Sequence, residues 1–209
     1  MLKKISFIFA LLLGLVSPTY AATYSFQEIT NNSPIDLASQ LSVDVTSVSE
    51  GVLFTFNNAG PLDSSIADIY FSSGSFLSLP MIITDSGAGV AFSAGATPGD
   101  LPGGNPVGFA ATAGFTADSD SPVAPNGVNP GEWVAIQFGL GAGQSFASIT
   151  QALDSGAIRI GLHLQALSDG QSESYISTPI PEPEIYAMMG LGLGLMGFVA
   201  RRRKQQGAA

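Results

Sequence analysis

The sequence predicts a mostly-β chain: an antiparallel β-sandwich, jelly-roll-like, with one short helix, an N-terminal signal helix and a C-terminal transmembrane helix. Three observations carry this. Several stretches alternate apolar and polar residues with a period of two, as half-buried strands do. One stretch has helical spacing between a capping serine and a closing glycine. An apolar run flanked by basic residues lies towards each end.

Residues 1–21 have the three parts of a secretory signal peptide. Lys3 and Lys4 precede an apolar run at 5–16, and small residues follow at Ser17, Thr19, Ala21 and Ala22. Cleavage after Ala21 places Thr19 and Ala21 at the small-residue positions; cleavage after Ala22 places bulky Tyr20 there and is disfavoured. The run is short for an uncleaved anchor.

Residues 22–178 form an exported body of single-domain size. In "LSVDVT", Leu41, Val43 and Val45 fall on one face and Ser42, Asp44 and Thr46 on the other. "VLFTFNN" follows with Val52, Phe54 and Phe56, and the Glu50-Gly51 step between the two predicts a hairpin. Further strands are expected in "IADIYFSSG", with Ile69 and Phe71, in "LPMIITDSGAG" and in "VAFSAG". "EWVAIQFGL" aligns Val134, Ile136, Phe138 and Leu140. "AIRIGLHLQAL" turns Ile158, Ile160, Leu162 and Leu164 inward and Arg159, His163 and Gln165 outward. Between these two strands lies the one helix: Ser145 caps it, Phe146, Ile149 and Leu153 form its stripe, and Gly156 ends it.

Residues 93–131 break the pattern. Six prolines and eight glycines without sustained periodicity predict a long loop system, with Phe109 and Phe115 pinning it to the sheet. Strands of the same character resume after it, so it does not separate two domains. No internal repeat is present.

Charge narrows the function. The body holds fourteen acidic residues against the single base Arg159, a net charge of −13. Such a surface repels phosphate backbones, which excludes nucleic acid as a partner. The chain has no cysteine, so thiol nucleophiles, thiolate metal sites and disulfides are excluded although export permits them.

Candidate chemistry is sparse. His163 is the only histidine, and no Gly-x-Ser-x-Gly elbow accompanies it, so it reads as a solvated strand residue. "TADSDSP" sets Asp118 and Asp120 two apart in a flexible loop; they read first as solvated loop acids, and the pattern is also open to calcium although the full Asp-x-Asp-x-Asp-Gly series is missing. No other cofactor is indicated. Trp133 beside Glu132 is either core or rim packing or a sugar-stacking platform. Nothing among the fourteen acids selects a glycosidase pair.

The tail closes the reading. Residues 185–200 are sixteen residues without a charge, about 24 Å as a helix against roughly 30 Å of bilayer hydrocarbon. Arg201, Arg202, Arg203 and Lys204 follow; their heads reach the interface and belong on the cytoplasmic side, which leaves the body outside. Gly190 and Gly194 form one Gly-x-x-x-Gly pair able to pack two helices. The circumference has no polar face, which excludes a soluble amphipathic helix. Ahead of the span, Pro181-Glu182-Pro183 disfavours helix and keeps the chain extended.

Pro181-Glu182-Pro183, the span holding Gly-Leu-Gly-Leu and Met-Gly-Phe, and Arg-Arg-Arg-Lys together resemble the PEP-CTERM sorting signal of Gram-negative bacteria, here residues 179–204. The resemblance implies a partner, a membrane-embedded exosortase, that severs the tail near Pro-Glu-Pro after the secretion translocon has delivered the body. It also implies transient inner-membrane anchoring, then release to the cell surface or the extracellular matrix. The body is similar to other exported proteins with this tail in "FNNAGPLDSSIADIYF", "NPGEW" and "IRIGLHLQ". The expectation is a non-enzymatic surface or matrix protein associated with exopolysaccharide and biofilm. A secreted polysaccharide hydrolase needs two converging carboxylates in a cleft. A carbohydrate- or ice-binding module needs a flat Thr-rich or aromatic face, and the sequence shows no regular Thr array.

Overall fold

The computed structural model describes residues 21–179 apart from Ala88. Ten strands and two helices follow in order. They are β1 (Ala21–Glu28), β2 (Leu41–Val48), β3 (Gly51–Asn58), β4 (Ser65–Ser72), β5 (Leu77–Asp85), β6 (Phe92–Ala94), β7 (Thr116–Ser119), α1 (Val123–Asn126), β8 (Glu132–Leu140), α2 (Phe146–Ser155), β9 (Arg159–Gln165) and β10 (Glu173–Pro179). The expected transmembrane span at 185–200 and residues 1–20 of the expected signal segment lie outside the described residues. Among the described residues, no helix is long and apolar enough to cross a membrane.

The mostly-β, antiparallel character stands, but the two-sheet sandwich is replaced by one continuous ten-stranded sheet in the order β5-β8-β3-β2-β1-β10-β9-β4-β7-β6. Every neighbouring pair is antiparallel. The sheet rolls until β5 lies against β6 without pairing to it, so it forms a nearly closed barrel with one seam. Twist explains the form: strands rotated in a constant sense curl a wide sheet until its two halves can bury one common face.

That common face is the main core. Phe71 of β4 meets Phe54 and Phe56 of β3 edge-on at 5.1 and 5.9 Å between ring centroids, and Phe138 of β8 at 4.9 Å. Such edge-to-face arrangements suit the ring quadrupole. The β2–β3 hairpin pairs Leu41 with Asn58 through to Val48 with Gly51, and Val43, Val45, Phe54 and Phe56 are fully buried. The expected inward faces of β8 and β9 are also those buried: Val134, Ile136 and Phe138 in one, Ile160, Leu162 and Leu164 in the other.

Helix α2 forms as the sequence requires. Ser145 and Ser148 make a reciprocal capping box, and Gly156 closes the helix at φ +74°. Ile149, Ala152 and Leu153 enter the core, and the Tyr24 hydroxyl donates to Asp154 at 3.0 Å.

Three strands were not foreseen: β1, β7 and β10. The 93–131 segment contains β7 and α1 as well as loops, and Phe109 and Phe115 are buried as expected. Its 97–111 portion lies on the outer face of the sheet. There Leu101 and Phe109 join Tyr70 and Ile176 in a second, smaller core. This explains why β4 is buried along nearly its whole length: both of its faces are covered, and alternation vanishes when neither face meets water.

Candidate functional site

The outer face of the roll has two halves, and each brings together residues far apart in sequence. On the covered half, strand register aligns His163 of β9, Asp68 of β4 and Asp118 of β7 side by side. His163 Nδ1 bonds Asp68 Oδ2 at 2.8 Å, and the two side chains are 12% and 4% exposed. His163 is therefore an almost covered residue tied to a buried carboxylate, where the sequence suggested a solvated one. The 97–111 segment reaches this row at Asp118, through the Thr97 backbone.

Asp118 lies on the other side of Asp68. Burial is the main cause that lifts its carboxyl to about 6; the charge of Asp68 and a carboxyl–carboxyl hydrogen bond with it add to the rise, and a backbone N–H at Thr97 opposes it. The loop expected around Asp118 is thus the end of a strand, and the nearest carboxylate partner of Asp118 is Asp68, with Asp120 exposed beyond. Among the described residues, no group of three or more His, Asp or Glu side chains is placed to hold a metal ion. Tyr70, beneath the same segment, donates its hydroxyl to Pro98 O at 3.0 Å; burial, then the charges of Asp68, Asp118 and Asp100, push its pKa above the usual phenol range.

The second half of the outer face, on β3, β8 and β5, is open. Its register rows run Ser42–Asn57–Trp133, Asp44–Thr55–Ala135–Thr84 and Thr46–Leu53–Gln137–Ile82. A groove of about 510 Å³ lies there, lined by Leu53, Thr55, Asn57, Thr84, Trp133 and Gln137 over Ala135. Trp133, the only tryptophan of the chain, is 36% exposed. Asn57 is held in place: its Nδ2 donates to Asp44 Oδ2 at 3.1 Å and to Thr55 O at 3.2 Å, and Asp44 accepts from Thr23 Oγ1 at 2.6 Å. Glu132, beside Trp133, turns away and accepts from the Asn129 backbone at 2.9 Å.

Two structural clusters explain phrases that the sequence made conspicuous. Asn58 of "FNNAGPLDSS" is fully buried; it accepts from Gln40 Nε2 at 2.8 Å and donates to Ser64 Oγ and Val128 O, both at 3.1 Å. Together with Gln40 it closes the 59–64 loop over the end of β3. The lone body base, Arg159, donates to Val107 O at 2.9 Å and sits 5.7 Å from the centre of the Phe109 ring, which clasps the 97–111 segment to β9.

Sequence reasoning missed Asp68 and the lining residues Thr55, Asn57, Thr84 and Gln137. Their signal was the polar half of each alternating strand, which identifies an outward face without saying which neighbours share it.

The residues expected to direct sorting, Pro181, Glu182 and Pro183, and the span and anchor residues Gly190, Gly194, Arg201, Arg202, Arg203 and Lys204, lie outside the described residues. By fold the chain is an acidic antiparallel β roll. Residues 179–204 match the family model of the PEP-CTERM protein-sorting motif, the same residues marked by the resemblance. The chain therefore carries a PEP-CTERM sorting motif, and that motif supports exosortase-dependent sorting of an exported protein. No match was found among characterised proteins or among solved structures.

Proposed function

We propose that this is a non-enzymatic protein of the cell surface or extracellular matrix. A span at 185–200 anchors it briefly in the inner membrane with the body outside, exosortase severs it near Pro181-Glu182-Pro183, and the body then associates with exopolysaccharide in the biofilm. The single observation that carries the reading is the sorting motif at 179–204. Each of its three parts has a physical role, as an extended grip for a protease, a marginal span, and a cationic cluster that resists crossing.

The geometry of the body favours a non-catalytic role. Asp68 and Asp118 face each other across paired strands in hydrogen-bond contact, closer than the roughly 5–9.5 Å at which glycosidase carboxylates flank a sugar. His163 is paired to the buried Asp68.

Fractionation of the native host, with and without residues 179–204, combined with the mass of the mature C-terminus, tests the proposal. The expected result is a body outside the inner membrane ending near Pro181, and retention at the membrane or in the periplasm when the motif is deleted. Intact 185–204 on the mature surface form, or a cytosolic body, overturns it.

A further inference from the structure

The geometry points to a binding site for an uncharged polysaccharide in the outer groove of β3, β8 and β5, with Trp133 as its stacking platform. The assignment takes its source of ligand from the exported-matrix reading above, but its chemistry stands on the groove alone.

The first ground is the exposure of the indole. Trp133 lies near the start of a strand whose next inward residues, Val134, Ile136 and Phe138, are fully buried, so the fold does not lack apolar space. Trp133 instead lines the groove together with Ala135, the next outward residue along β8. A large apolar ring left facing water beside a concavity is what stacking on the C–H face of a pyranose requires.

The second ground is the surrounding chemistry. Thr55, Thr84 and Gln137 make no side-chain hydrogen bond among the described residues, and Asn57 uses its Nδ2 on Asp44 and Thr55 while its Oδ1 stays unengaged among them. The groove therefore presents hydroxyl and amide groups of both donor and acceptor kind. Asn57 is positioned through Asp44 and Thr23, so part of the ordering cost of binding is already met.

The third ground is charge. No Lys, Arg, Asp or Glu lines the groove, and the body carries a net charge of −13. Phosphates, nucleic acids and uronic-acid polymers find no cation here, and a cationic ligand finds no carboxylate in the lining. A neutral ligand rich in hydroxyls, with one apolar face, fits what remains. The site is an open groove about 510 Å³ in volume, within the range of small-ligand sites, so a polymer can be gripped along its length.

The chain has one tryptophan, so its fluorescence reports this groove alone. Full-length protein in detergent micelles is titrated with mixed-linkage β-glucan, galactomannan and dextran, with alginate as the anionic comparison. A saturable change in emission with at least one neutral polymer is expected, together with retarded migration in native gels cast with it. Trp133→Ala should leave the melting temperature close to wild type and abolish the retardation. Asn57→Ala, with the indole intact, should weaken the emission response about tenfold. Silence with every neutral polymer, an equal response to alginate, or full retardation of Trp133→Ala overturns the site. An emission change that follows protein concentration alone assigns the groove to a second copy of the chain and overturns it too. A surface-located protein with a silent Trp133 sinks this site and leaves the sorting proposal standing; a cytosolic protein that binds glucan does the reverse.

Discussion

At Asp118 a single proton links the sequence to stability. Its carboxyl faces Asp68 across the strand pair, with Asp120 nearby, Thr97 donating from the covering segment, and His163 beyond Asp68. The fold holds this acid neutral to higher pH than an unfolded chain does, from 3.8 up to about 6. The folded state therefore binds more protons in that interval, and stability falls as pH rises through it. The stabilisation is complete below pH 3.8 and is lost by the time pH has passed about 6. Asp118→Asn keeps an acceptor for Thr97 and offers Asp68 an amide donor without a charge. Its melting temperature is expected to exceed that of wild type above a pH of about 7 and to change less across the interval. Thermal scans of both proteins at stepped pH check this, and parallel curves refute it. None of it was visible in "TADSDSP", because the carboxylate that matters lies far upstream, on β4.

On the scale of elements, the outer segment 97–111 stays on the sheet because β9 carries a glycine where it must pass. A Cβ added to Gly161 would stand 2.7 Å from Leu101 and 3.1 Å from Phe109. Gly161→Val is therefore expected to lift the segment, break the Tyr70 to Pro98 contact, and cost about 1–3 kcal/mol. Limited proteolysis should then cut within 97–111 faster than in wild type, and unchanged cleavage refutes the account. Element prediction from sequence did well where apolar and polar residues alternate cleanly or where caps mark the ends. The β2–β3 hairpin, β8, β9 and α2 all lie where the alternation, the caps and the turn residues put them. The strand expected at β4 forms although it is buried almost without alternation, but the period-two signal missed β7, which is only four residues long. It also failed for β1 and β10, which were not singled out and which pair with each other across the middle of the sheet.

For the whole molecule, the roll is held shut by aromatic contact between its two halves. Phe71 alone touches Phe54, Phe56 and Phe138. Phe71→Ala is expected to destabilise the body by about 3–5 kcal/mol, because the cavity it leaves is walled by rings from opposite halves that cannot collapse into it. Equilibrium unfolding in urea measures this; a loss near zero means that the two halves are held by something else. The same closure arranges the outside. It puts the row of His163, Asp68 and Asp118 on one half and the open groove around Trp133 on the other.

The sequence by itself determined the sorting motif, the acidity of the body, the antiparallel β character and the capped helix. These depend on residues close together in the chain or on composition, and so need no knowledge of pairing. Only the tertiary structure decided that the strands form one rolled sheet, that His163 meets Asp68, and that Thr55, Asn57, Thr84 and Gln137 gather around Trp133. The reason is register: alternation gives a side chain its face, but only the pairing of distant strands gives it neighbours.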